Sequence, residues 1–285
     1  MPTPADVAFL AQLACLLEVT APKPGNVSPV RSFQDTRYED FLASAVAIGP
    51  ALGSVAERAL GETVRAAVEA TAQWTNANTN LGLILVLAPL ARAALRPGNR
   101  RLRQQVAEVL AATTVEDAEQ VYAAIRLANP GGLGQVAAQD VRDPATVTLV
   151  EAMRLAAGRD AIAREYATAF RITFDVGAPA LAQARRDGLS WSDATVEAFL
   201  GILSAEPDTL IARKRGIPAA EAVSGRASVV ARVGGVRTAE GRRALEAFDV
   251  DLRTEQNSLN PGTTADLTAA ALFVVLLEAE GGAGG

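Results

Sequence analysis

Along most of the chain, apolar residues recur at three- and four-residue spacing, the pattern of helices that bury one face or all of it. In the first segment Phe9, Leu10, Leu13, Leu16 and Leu17 fall on one face, behind a Thr3 N-cap and a first-turn Pro4. Asp143 and Pro144 predict a second start of this kind, since Thr146, Leu149, Val150 and Met153 keep a helical period despite their β-branched neighbours. Further helices are expected at 38–48, 52–72, 80–95, 100–111, 115–128, 159–174, 190–204, 208–215, 217–233, 239–256 and 264–279. Gly, Pro, Asn and Asp mark the connections APKPGNVSP, RPGN, NPGGLG, DVGAP, RDGLS and NPGTT. No stretch alternates with period two for long enough to predict a sheet, and only SVVARVGGV is ambiguous. The expected class is all-α, a single multi-helix bundle over residues 1–279 with a flexible glycine-rich tail at 280–285.

Composition narrows the chemistry. The 285 residues contain no histidine, which excludes a Ser-His-Asp triad and every histidine metal site. The single cysteine, Cys15, lies in an apolar helical pattern and reads as a small buried hydrophobe. Acid–base work therefore falls to carboxylates, lysine or tyrosine. Net charge is −5, and the arginines are scattered without a basic block, which argues against nucleic acid as a partner. The longest apolar run, LGLILVLAPLARAAL, holds Pro89 and reaches Arg92 too early to span a membrane. No positively charged segment leads the N-terminus, so a soluble, cytoplasmic protein is expected, and alanine-rich helix faces suit a homodimer.

Five polar patches stand out against this alanine–leucine background: EVTAPKPGNV (18–27), RSFQDTRYEDF (31–41), TNANTNLG (75–82), DTLIARKRG (208–216) and NSLNPGTTADL (257–267). Parts of them suit ordinary helix ends. Thr263 and Asp266 have capping-box spacing, Asp208 and Asp35 stand near helix starts, and Arg213, Lys214 and Arg215 crowd a last turn before Gly216. Other parts do not. Glu18 ends a helix where the dipole disfavours a carboxylate, which predicts a cation facing it. Three asparagines precede one helix where one cap suffices, and Gly82 inside that helix predicts a close approach by a ligand or another helix. Lys23 is one of only two lysines, the other being Lys214, and two prolines fix its backbone; a rigid loop aiming an ammonium suits phosphate.

In this order, EVTAPKPGNV, NTNLG, DTLIARKRG and LNPGTTADL resemble the motifs of the triphosphoribosyl-dephospho-CoA synthase family of the CitG and MdcB type, over roughly residues 8 to 275. The resemblance implies an all-helical transferase that joins the ribose C1 of ATP to the 2′-hydroxyl of dephospho-CoA, expels adenine and carries Mg2+ on the triphosphate. It implies Glu18, Lys23, Asp35, Asp208 and Asp266 as catalytic groups, with Asp35, Asp208 and Asp266 as metal ligands. Lys23, Asn26, Asn78, Thr79, Asn80, Arg213, Lys214, Thr263 and Thr264 are implied for small phosphorylated substrates. On this view Lys23→Ala abolishes activity without loss of stability. Two motifs depart from the family: its N-T-H-K-G reads Asn78-Thr79-Asn80-Leu81-Gly82, and its G-A-H-x-D-M reads FQDTRY, where Asp35 or Asp40 stands for the aspartate. The missing histidines leave open the same scaffold acting on another phosphorylated coenzyme precursor, as in methanopterin or methylofuran biosynthesis. A non-catalytic helical binding protein is the third reading; it predicts patches scattered over the surface rather than gathered in one pocket.

Overall fold

The computed structural model describes residues 1–98, 100–131, 134, 138–253 and 257–282. In order these form α1 (Pro4–Thr20), α2 (Tyr38–Ala47), α3 (Gly49–Gly53), α4 (Leu60–Ala72), α5 (Leu81–Ala94), α6 (Leu102–Ala111), α7 (Val115–Ala128) and α8 (Leu149–Ala156). Then follow α9 (Ala161–Thr168), a π-turn (Thr173–Gly177), α10 (Ala178–Arg186), α11 (Trp191–Ala205), α12 (Thr209–Arg215), α13 (Ile217–Arg232), a 3-10 turn (Gly235–Arg237), α14 (Ala239–Leu252) and α15 (Gly262–Gly282). Among the described residues no strand forms, as the periodicity predicted, and SVVARVGGV lies in α13 and the turn after it.

Two helices without a polar face make the centre. In α5, Ile84, Val86, Leu87, Leu90 and Ala91 are inaccessible to solvent, and so are Ala269, Ala270, Leu272 and Phe273 in α15. α15 is long and apolar enough to cross a membrane, yet 61% of that stretch is buried inside the fold, where it packs on α1, α5, α10 and α11. A smaller core joins Phe199 and Leu203 of α11, Val223 and Ala227 of α13, and Phe248 and Leu252 of α14. Pro89 sits inside α5, where it cannot donate to the carbonyl of Leu85. The hydroxyl of Tyr166 donates to that carbonyl instead, at 2.7 Å, and pins α9 against α5.

Several expected boundaries move, each for a local reason. Phe9 is 60% exposed, because α1 turns Val7, Leu10, Ala11, Ala14 and Cys15 to the core. The helix expected at 52–72 breaks into α3 and α4: Arg92 donates to the carbonyls of Val55 (3.0 Å) and Arg58, and Glu62 caps the new start through the Ala59 N–H (3.0 Å). Asp143-Pro144 does not open α8; Thr148 caps it, with Glu151 accepting from the Thr148 N–H at 2.9 Å. The helix expected at 159–174 ends at Thr168, where Ala169 and Phe170 take positive φ and Glu165 gathers the N–H groups of Ile172 and Thr173, each at 2.8 Å. DVGAP is not a connection but the π-turn running into α10. α15 continues to Gly282, into the expected tail, while 283–285, residues 254–256 and parts of RPGN and NPGGLG lie outside the described residues.

Candidate functional site

The C-terminus of α1 has no basic residue in its last turn, and the loop that follows supplies one from outside the helix. Lys23 folds back, 1% exposed, to pair with the Glu18 carboxylate at 2.9 Å and to donate to the carbonyls of Glu18 and Ala21. Thus the cation predicted for Glu18 is Lys23 itself. The expectation that Lys23 aims at phosphate is corrected: its ammonium is turned into the helix end and does not line the cavity described below. Gly25, at φ 73°, allows the turn, and a side chain there would meet Leu252 at 2.9 Å. Asn260 donates to the Gly25 carbonyl (2.7 Å) and to the Asn26 side chain (3.3 Å), while Asn26 donates to the Pro24 carbonyl (3.1 Å).

TNANTN divides its labour. The Asn78 side chain accepts the Leu81 N–H at 3.1 Å and caps α5. Thr79 shares a 2.6 Å hydrogen bond with Ser44, and Asn80 donates to Thr71 (3.1 Å) and to the Ser44 carbonyl (3.4 Å). The close approach predicted at Gly82 comes from α15: a Cβ there would stand 2.0 Å from Asp266 Oδ2. Gly82→Ala is therefore expected to displace the Asp266 carboxyl and cost about 1–3 kcal/mol of stability by overpacking, although alanine is the better helix former; an unchanged urea midpoint would refute this.

Asp208 is a clamp between two helix starts. Its Oδ1 accepts the N–H groups of Leu210 (2.9 Å) and Ile211 (3.1 Å) in α12, and its Oδ2 accepts the N–H (2.7 Å) and hydroxyl (2.8 Å) of Thr264 in α15. Both oxygens are filled and the residue is buried, so Asp208 and Thr264 support the site from behind and neither lines the cavity. The Thr263–Asp266 capping box does not form, because Asp208 takes that role; Thr263 instead accepts from Thr209 at 3.3 Å. Asp208→Ala is expected to destabilise the protein by about 3 kcal/mol or more, since it strands several buried donors, read as a lower urea midpoint.

With the capping box gone, Asp266 faces the cavity with no hydrogen bond or ion pair among the described residues. Burial, followed by the charges of Glu18, Asp208 and Asp160, holds its carboxyl well above the usual range, with Arg213 opposing. Burial also raises Glu18, but there Lys23 pulls the other way. Asp35 is exposed on the cavity rim and bonds Thr36 at 3.3 Å; it does not cap α2, whose start is held by Asp40 accepting the Arg37 N–H at 2.8 Å. Burial lowers the Lys214 ammonium, and the charge of Asp35 resists that shift. Arg213 pairs with Asp160 at 2.8 Å, and Arg159 also borders the cavity. The sequence reading missed Asp160 and Arg159, although Asp160 directly before AIAREY is a visible helix cap.

These groups surround one cavity of about 810 Å3, which all five polar patches line: Glu18 and Asn26, Asp35, Asn78 to Gly82, Arg213 and Lys214, and Asn260, Thr263 and Asp266. One wall is apolar, from Val121 and Ile125 of α7 and Met153 and Leu155 of α8. Such a volume, mixing an apolar wall with convergent polar groups, suits a small-molecule site. Cys15 is buried, and burial pushes its thiol up, so it is no nucleophile.

The family described as CitG, ATP:dephospho-CoA triphosphoribosyl transferase, matches residues 4–284. A Stutzerimonas stutzeri protein and a Pseudomonas savastanoi pv. phaseolicola protein, each described as a probable 2-(5''-triphosphoribosyl)-3'-dephosphocoenzyme-A synthase, are 34% identical over 113 residues and 36% identical over 117. Those stretches cover 39% and 41% of this chain and 38% and 40% of the relatives, so the chain matches about two fifths of their length. A crystal structure of an Archaeoglobus fulgidus protein, described as a triphosphoribosyl-dephospho-CoA synthase, superposes with a TM-score of 0.65 at 30% identity, covering 83% of this chain and 98% of that one.

Proposed function

Since the chain belongs to the CitG family, we propose that its cavity transfers the triphosphoribosyl group of ATP to the 2′-hydroxyl of dephospho-CoA and releases adenine. The observation that carries this reading is the gathering of all five polar patches on one cavity, which counts against a non-catalytic binding protein. Arg213, Lys214 and Arg159 face the triphosphate, and the apolar wall of α7 and α8 takes the neutral arm of the acceptor.

The reaction breaks the bond from ribose C1 to the base and forms one from C1 to the acceptor oxygen. Adenine gains a proton and the hydroxyl loses one. Two carboxyls in different surroundings, Glu18 beside a cation and Asp266 without one, divide that task. Asp266, without a cationic partner, keeps its proton and gives it to the departing adenine. Glu18, paired with the Lys23 ammonium at 2.9 Å, faces the positive charge developing on the ribose and accepts the hydroxyl proton.

Among the described residues no group of three or more potential ligands is arranged to hold a metal. Mg2+ needs only one or two carboxylates when phosphates complete its shell; Asp35 has oxygens that would hold it, whereas those of Asp208 are filled and Asp266 keeps its proton for the leaving base. Bound there, the ion neutralises the triphosphate. A second reading, transfer to another phosphorylated coenzyme precursor, rests on Asn80 and Leu81: where the family has histidine and lysine, these two are buried in structural contacts.

Chromatographic detection of adenine from ATP, Mg2+ and dephospho-CoA, with Asp266→Asn as control, tests the proposal. Release that needs both substrates and Asp266 supports it. A folded protein that binds ATP yet yields no adenine with dephospho-CoA overturns it in favour of the second reading.

A further inference from the structure

Resting on the triphosphate reading above, we infer that Asp160 is a positioning residue that restrains Arg213 and keeps the phosphate subsite weak, so that a product still bearing the triphosphate can leave. Its two oxygens have separate tasks. Oδ1 caps α9 by accepting the Ala163 N–H at 3.0 Å, and Oδ2 pairs with Arg213 Nη1 at 2.8 Å. Both side chains are about three-quarters buried, with 22% and 27% exposed. The cap needs no charge, since asparagine caps as well as aspartate. Only the pairing does.

The neighbouring Lys214 is held differently: it donates to the Asn257 carbonyl at 3.4 Å, and among the described residues it has no carboxylate paired with it. The chemistry gives a reason to restrain Arg213. Bonds change only at ribose C1, and the triphosphate passes intact from ATP into the product. A bare guanidinium would hold substrate and product equally, which lowers KM without helping the transition state and slows release.

Asp160→Asn separates the two tasks. By titration calorimetry it should bind inorganic tripolyphosphate about three- to tenfold more tightly than the wild-type protein, at nearly unchanged melting temperature. In steady state kcat should fall as release slows, and KM for ATP should fall by at least as much. In an Arg213→Gln background the substitution should leave tripolyphosphate affinity unmoved. Unchanged or weaker affinity in Asp160→Asn, or equal tightening without Arg213, overturns the inference while leaving the transfer reaction standing. Wild-type protein that binds no tripolyphosphate overturns the phosphate reading and this inference with it.

Discussion

Replacing Asp266 by asparagine is expected to lower kcat for adenine release about a hundred- to ten-thousandfold while raising the melting temperature. The two effects share one cause. In the folded chain Asp266 lies among Glu18, Asp208 and Asp160 with only Arg213 opposing, and its carboxyl titrates well above the ordinary range. A group whose folded pKa is raised binds more protons folded than unfolded, so its contribution to stability falls as pH rises between the two values. Asparagine does not titrate. The stability difference should therefore vanish below about pH 4, where Asp266 is protonated in both states, and grow as pH rises through the raised pKa. Wild-type activity should be lost over the same upper range, as the acid gives up its proton. Thermal melts and kcat measured across pH test both; a variant that is less stable at neutral pH would show that Asp266 holds the fold rather than the chemistry.

Lys23→Ala is expected to cost about 3–5 kcal/mol of stability, because it leaves the Glu18 carboxylate buried without its partner. This reverses what the lysine count and the rigid loop suggested, namely a loss of activity alone. Lys23→Met combined with Glu18→Gln should recover most of the urea midpoint, since both charges go together, yet remain inactive for want of the base. Lys23→Ala with an unchanged midpoint would show that the pair does not hold the end of α1.

The all-helical class was legible because nearly every buried position obeys one period, and the site was legible because asparagine, threonine and acids stand out against alanine and leucine. What misled was local. Glycine and proline in DVGAP read as a connector, whereas a π-turn and a first-turn proline keep that stretch helical. The break between α3 and α4 depends on Arg92, thirty-four residues beyond Arg58, whose carbonyl it takes. Lys23 looked available for a ligand because sequence does not show that the end of α1 reaches it first. Asp160 was passed over since a helix cap and an ion-pair partner look alike until Arg213 is brought beside it.

The Asp208 clamp has a consequence for binding entropy. One carboxylate fixes the starts of α12 and α15, fifty-six residues apart from Asp208 to Thr264. The cations at the far end of α12 and Asp266, four residues into α15, thus share one rigid frame before any ligand arrives. The conformational freedom lost in setting that spacing is lost during folding. An entering nucleotide need not immobilise α12, and its contacts can act on orientation at ribose C1 instead of on ordering the protein.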